Sequence, residues 1–217
     1  MASQGESVVL SSIADGVMVL TLNRPERGNG WTGAMSRAYF GLLEQGARNP
    51  DVRVILVTGA GTAFCSGGDP DVLGGIAGNG GAGEADRVVP GTLTDHLLAL
   101  RIGKPVIAAI NGACFGIGMQ QALACDIRFA SEGAKFSTAF ARRGLPAEMG
   151  ISWLLPRLVG TGHAMDLLLS ARLVRAPEAE RIGLVTSVGP DEELLAAALA
   201  TARLIAANSP MGVWMTK

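Results

Sequence analysis

Two short apolar runs, Val8 to Leu10 and Val17 to Leu22, flank Asp15-Gly16, which predicts a β-hairpin closed by a tight turn. After Thr32, a helix-capping residue, Met35, Tyr39, Leu42, Leu43 and Gly46 recur at helical spacing, and Asn49-Pro50 ends the pattern. Val52 to Thr58 is a nearly unbroken apolar run rich in β-branched side chains, as in a strand buried on both faces. Strand, helix and strand in that order predict a right-handed βαβ unit. Pro105 to Ile110 and Asp126 to Ala130 read as further buried strands, with a short one at Ala63 to Cys65. A glycine-rich turn and a short helix follow Ile110. The later pattern is mainly helical, over 152–159, 161–170, 177–182 and 191–207, with a short strand at 184–188.

Composition narrows the function. The 18 Lys and Arg against 19 Asp and Glu give a net charge of −1, which leaves no basic excess for a nucleic-acid backbone. Charged residues are only 17% of the chain and apolar ones 48%, so part of the surface is expected to be buried against other subunits. Cys65, Cys114 and Cys125 are widely spaced in apolar settings, with no CxxC or Cys/His cluster, so reduced buried thiols are expected and a metal site is not. The first residues show no basic stretch leading into an apolar one, and the most apolar tract, Leu194 to Ala207, carries Arg203 and is too short for a bilayer. A soluble, cytoplasmic protein is the expectation.

Residues 59–91 hold 11 of the 30 glycines. They read either as a loose surface loop or as a mobile wall over a substrate pocket. Gly59-Ala60-Gly61-Thr62-Ala63-Phe64 begins like a dinucleotide fingerprint but has Phe64 at the third glycine position, with no helix pattern after it. Gly112 to Gly118 does open a helix, but with Gln121 at that position. No Gly-Lys-Ser/Thr follows either cluster, and GxSxG is absent. Both loops do offer backbone N–H groups: Ser66-Gly67-Gly68-Asp69 after a short strand, and Gly116-Ile117-Gly118 at a helix start. Facing each other, they would form an oxyanion hole.

Five segments in order complete the picture: Asn23-Arg24-Pro25-Glu26 with Asn29, Ala63 to Asp69, Lys104 to Gly112, Cys125-Asp126-Ile127-Arg128, and Leu154 to Gly160. Together they resemble the enoyl-CoA hydratase/isomerase (crotonase) family, from near residue 8 to the last residue. The resemblance implies an α/β fold: a crotonase-like spiral of ββα units over 1–160 and a helical C-terminal region over 161–217. It implies an acyl-CoA thioester as substrate, no cofactor beyond the coenzyme A the substrate carries, and a homotrimer or dimer of trimers. In the family's pattern the thioester oxygen is held by N–H groups at positions that here are Gly68 and Ile117. The Ser66 to Pro70 loop, with Gly67 and Asp69, would hold adenine through its main chain, less one contact because Pro70 has no N–H. Arg24 and Arg27 precede this region and read equally as phosphate contacts or as solvated surface.

The carboxylates depart from the hydratase pattern. Where hydratases of the family carry their two glutamates, this chain has Gln120 and Phe140. Glutamine cannot exchange a proton near neutral pH, and phenylalanine cannot hold or activate water. One acid remains: Gly144-Leu145-Pro146-Ala147-Glu148 resembles the Gly-Leu-x-x-Asp/Glu segment of family isomerases. A double-bond shift needs one base that moves a proton from the α- to the γ-carbon, helped by stabilisation of the dienolate. Phe140 and Met149 would keep this pocket apolar and exclude water. Glu148 also reads as an acid that merely complements a helix dipole. The expected activity is therefore enoyl-CoA isomerisation by Glu148, with Gln120 as a polar positioning group. The rivals are a hydratase in which Glu148 and Gln120 hold the water, and a non-catalytic acyl-CoA-binding assembly subunit.

Other polar residues read as structural. Asp69 and Asp71 are expected to end the loop or face water, Glu84 and Asp86 to be solvated, and Asp126 to support a strand. His96 and His163 are expected on helices, at the surface or satisfied in the core. Family chains continue past Asn208-Ser209-Pro210 with helix covering the acyl pocket, whereas this sequence stops at Lys217, being either truncated or short.

Overall fold

The computed structural model describes residues 7–72 and 96–217. The glycine-rich stretch with Glu84 and Asp86, read above as a possible pocket wall, lies largely outside the described residues. The hairpin forms as the sequence predicts: β1 (Val9–Ala14) pairs antiparallel with β2 (Val17–Leu22), Ala14 facing Val17. Asp15 and Gly16 both take positive φ, the backbone such a two-residue turn requires. In α1 (Gly33–Arg48), the Thr32 side chain accepts a hydrogen bond from the Met35 N–H, and Asn49 is the C-terminal cap.

From there the chain winds as a spiral in which each turn lays down one long strand and one short strand. The long strands are β3 (Val54–Gly59), β5 (Val106–Ile110) and β7 (Ile127–Ser131). Their short companions are β4 (Ala63–Cys65), β6 (Ala113–Phe115) and β8 (Lys135–Ser137). Among the described residues, α2 (Leu98–Arg101) and α3 (Ile117–Ala124) lie between successive turns. The last helical region comprises α4 (Ile151–Ser170), α5 (Ala176–Arg181), α6 (Leu194–Ala206) and α7 (Pro210–Thr216), with strands β9 (Val174–Arg175) and β10 (Ser187–Gly189). The long strands form a six-stranded sheet, ordered β1-β2-β3-β5-β7-β10 and parallel from β2 onward; the short ones form a four-stranded sheet, β4-β6-β8-β9.

The unbroken apolar run of β3 has the expected cause. Ile55 and Val57 face the main core with Met35, Tyr39 and Leu43 of α1, while Val54 and Leu56 face a second core with Leu194, Ala198 and Ala202 of α6. The small Ala198 and Ala202 are fully buried, which places α6 close against the sheet. The helices expected at 152–159 and 161–170 run as α4 with a break at Gly160 (φ 77°, ψ 159°). The strand expected at 184–188 lies at β10 instead. Among the described residues no single helix is long and apolar enough to cross a membrane.

Candidate functional site

The Ser66–Asp69 loop is set by what brackets it. In the isolated bridge between Trp31 and Gly68, the Trp31 N–H donates to the Gly67 carbonyl (2.8 Å) and the Asp69 N–H donates to the Trp31 carbonyl (3.0 Å). A parallel bridge of this kind uses the neighbours of Gly68 and turns the N–H of Gly68 itself to the other side. Ser66 donates its N–H to the Gly28 carbonyl (2.9 Å), and Gly67 sits at φ 105°, where a side chain is strained.

The second loop meets the first directly. A Cβ on Gly116 would lie 3.9 Å from the Gly67 Cα, and one on Gly118 only 2.5 Å from the Cys65 carbonyl oxygen. Glycine at these positions lets the start of α3 press against the end of β4. Ile117 is the first residue of α3, so its N–H lacks an intrahelical acceptor, and it adds to the positive end of the helix dipole. The half-buried Gly68 and Ile117 thus belong to two abutting loops, each with an N–H that has no acceptor among the described residues.

The Glu148 segment is tied to the second loop at both of its ends. At its start, the Thr138 carbonyl lies 3.9 Å from a Cβ built on Gly116 and accepts the Phe140 N–H (2.8 Å). At its end, Gly150 packs on Leu97, next to His96, whose carbonyl accepts from the Gln120 side-chain amide of α3 (2.9 Å). Glu148 to Ile151 form a tight turn closed by the Ile151 N–H on the Glu148 carbonyl (3.1 Å), with positive φ at Met149 (56°) and Gly150 (84°). Met149 carries left-handed strain of about 1–2 kcal/mol. Met149→Gly is therefore expected to leave stability unchanged or raise it by up to about 1 kcal/mol, since relief outweighs the added chain freedom. Met149→Val, with a branch at Cβ, is expected to lower it by about 1–2 kcal/mol. Urea unfolding of the two variants checks the ordering.

Several expectations change. Glu148 is exposed, so although Phe140 is buried, Phe140 and half-buried Met149 do not enclose the acid. Gln120 is fully buried: its amide nitrogen donates to the His96 carbonyl and its oxygen accepts from Gln121 (2.7 Å). It braces α3 against the segment at His96. His96 is half-buried, edge-on to Phe40, and burial lowers its pKa; the Gln121 amide nitrogen lies 3.2 Å from its Nδ1. His163 is exposed, and Asp126 accepts the Val106 N–H (2.7 Å) and the Lys217 ammonium (2.8 Å), a structural role as expected. Cys65, Cys114 and Cys125 are free and buried, and burial raises the Cys65 and Cys125 thiols to about 12.

Asp69 is the largest correction. It does not face water: its side chain is 2% exposed and ion-paired to both arginines, Arg24 Nη1 on Oδ2 (2.9 Å) and Arg27 Nη2 on Oδ1 (3.0 Å). Arg27 also pairs with exposed Asp71 (2.6 Å), and Arg24 donates to the Gly30 carbonyl (2.6 Å). Arg24 and Arg27 thus hold the loop, and the Arg27 side chain remains 38% exposed. Asn29 at the centre of this loop is fully buried at φ 54°. It accepts the Arg24 N–H (2.8 Å) and donates to the Ala60 (2.9 Å) and Ala63 (2.7 Å) carbonyls. The sequence supplied Asn29 only as part of a motif; an Asn between two loop-forming segments, able to take left-handed backbone, is the signal that could have found this role.

The Arg27 hydrogen bond, helped by the Asp71 N–H and Arg24, holds the Asp69 carboxyl down at about 2, from an ordinary 3.8. A depressed acid stabilises the fold fully above its unfolded value and loses that contribution as pH falls through the folded one. The stability gap between wild type and Asp69→Asn is therefore expected to be constant at neutral pH, to shrink below about pH 3.8 and to close near pH 2. Thermal unfolding at a series of pH values measures it.

The fold and site define a spiral α/β protein of the crotonase type, with two glycine loops meeting at a helix start. An enoyl-CoA hydratase/isomerase family model matches residues 12–217, and the chain belongs to that family of acyl-CoA-processing enzymes. It is 42% identical over 208 residues to a Mycobacterium bovis protein named probable enoyl-CoA hydratase echA12, covering 91% of this chain and 71% of that one. It is 37% identical to the Escherichia coli 1,2-epoxyphenylacetyl-CoA isomerase, covering 96% of this chain and 80% of that one. A crystal structure of a monofunctional enoyl-CoA isomerase from M. smegmatis superposes with a TM-score of 0.80 at 37% identity, covering 97% and 90% of the two chains.

Proposed function

We propose that this enzyme moves the double bond of an unsaturated acyl-CoA, with Glu148 as the single acid/base. The thioester oxygen accepts hydrogen bonds from the Gly68 and Ile117 N–H groups. Glu148 takes a proton from the α-carbon, electrons move onto the thioester oxygen as the double bond shifts, and the same carboxyl returns a proton at the γ-carbon. The reaction uses only groups of this chain and the substrate. The observation that carries the reading is the fate of the two positions where family hydratases hold glutamate. Phe140 is buried and Gln120 is fully buried with both ends of its amide bonded, so neither activates water.

Relatives bearing hydratase and isomerase names both match this chain, so the reading rests on these residues and not on a name. Its test is incubation with a 3-enoyl-CoA, the product read by mass and double-bond position. The expected product is the 2-enoyl isomer of unchanged mass. No turnover by the folded protein, or a product one water heavier, would overturn the proposal.

A further inference from the structure

We infer that Asp69 is a positioning residue that aims the Gly68 N–H through its ion pairs with Arg24 and Arg27. The inference rests on the reading of Gly68 as an oxyanion donor. Gly68 has no side chain to fix its peptide plane, and the plane is held by the flanking bonds of Gly67 and Asp69 to Trp31, with the Cys65 thiol also donating to the Gly67 carbonyl (3.8 Å). Trp31 in turn ends the 24–30 loop, so the Gly68 N–H can point one way only if that loop and the 66–71 loop keep their mutual register.

The Asp69 carboxylate is where the two loops are joined. One oxygen takes Arg24, which also donates to the Gly30 carbonyl beside Trp31; the other takes Arg27 and the Asp71 N–H (3.0 Å). A nearly unexposed carboxylate between two guanidinium groups resists movement, because any shift breaks charge-assisted hydrogen bonds without water to replace them. Gly30 and Gly28 leave room for it: a Cβ on Gly30 would sit 3.3 Å from Asp69 Oδ2, and one on Gly28 3.2 Å from Ser66 Oγ. The cluster of Arg24, Arg27, Asp69 and Asp71 is charge-balanced, consistent with a device that holds geometry and does not itself bind an anion.

The test is the carbonyl stretch of a saturated acyl-CoA bound to the protein, read by difference infrared spectroscopy, alongside steady-state kinetics on a 3-enoyl-CoA. Wild type is expected to lower the thioester stretch relative to free substrate. Asp69→Asn is expected to return much of that shift and to lower kcat by about 10- to 100-fold, with KM changed far less, since the lost interaction is strongest in the transition state. If Asp69→Asn does not fold, Arg24→Gln carries the same test, because it removes the guanidinium whose Nη1 donates to both Asp69 and the Gly30 carbonyl. A folded variant that keeps the wild-type stretch, or whose loss is entirely in KM, overturns the positioning role and leaves the oxyanion reading standing. A wild-type protein that binds the thioester without shifting its stretch overturns both.

Discussion

Glu148→Gln is expected to bind acyl-CoA as wild type does and to turn over 3-enoyl-CoA about 10² to 10⁴ times more slowly, the range for removal of a general acid/base. The side chain is exposed and makes no hydrogen bond to the described residues, so the amide is expected to leave unfolding unchanged within a few tenths of a kcal/mol. This separates the two readings of the residue. An acid that only complements the dipole of α4 contributes about 0.3–1 kcal/mol to stability and nothing to turnover. A 10²-fold loss of kcat corresponds to about 2.7 kcal/mol of transition-state stabilisation, well beyond that effect. Glu148 stands two residues before the N-cap Gly150, in a turn whose strained Met149 fixes the direction of the segment. Glu148→Asp, which keeps the charge but shortens the reach, is expected to fall between the two. Stopped assays of kcat and KM for the three proteins, with matched unfolding curves, decide the matter.

Gly118→Ala is expected to damage both stability and turnover. A methyl group there would lie 2.5 Å from the Cys65 carbonyl oxygen, 2.6 Å from its Cβ and 2.9 Å from its Sγ. Backbone and a fully buried side chain leave no flexible end to yield, so α3 must move away from β4. Overpacking of this kind costs about 1–3 kcal/mol. The same movement carries the Ile117 N–H away from Gly68. Loss of one oxyanion donor lowers kcat by about 10²- to 10³-fold, and a displaced donor is expected to approach the lower figure. Gly162 in α4 is the control: nothing lies within 4 Å of a Cβ there, and alanine favours helix, so Gly162→Ala is expected to be neutral or to stabilise by up to about 1 kcal/mol. Thermal unfolding and 3-enoyl-CoA kinetics on both variants compare the two glycines directly.

What the sequence made legible was whatever local patterning controls. The Asp15-Gly16 turn, the Thr32 cap and the double-faced burial of β3 each depend on residues within a few positions of one another. The short strands β6, β8 and β9 did not show, because two or three residues carry no readable alternation and exist through pairing with distant segments. The two glycine loops were recognisable, but the reason for each glycine was not; the closeness of Gly118 to Cys65 depends on how two elements pack. Asp69 was misread for the same reason: Arg24 and Arg27 lie 45 and 42 positions away in the chain. Gln120 was visible as a departure from a two-carboxylate pattern, yet its bonds to His96 and Gln121 required the fold.

The measurement that bears most directly on the single-base account is incubation in heavy-oxygen water with 2-enoyl-CoA and 3-enoyl-CoA together, for wild type and Glu148→Gln. The account predicts that wild type interconverts the two substrates without taking solvent oxygen into the acyl chain, and that the variant loses this interconversion. Incorporation of solvent oxygen at the β-carbon by wild type, at a rate matching or exceeding the double-bond shift, would contradict it.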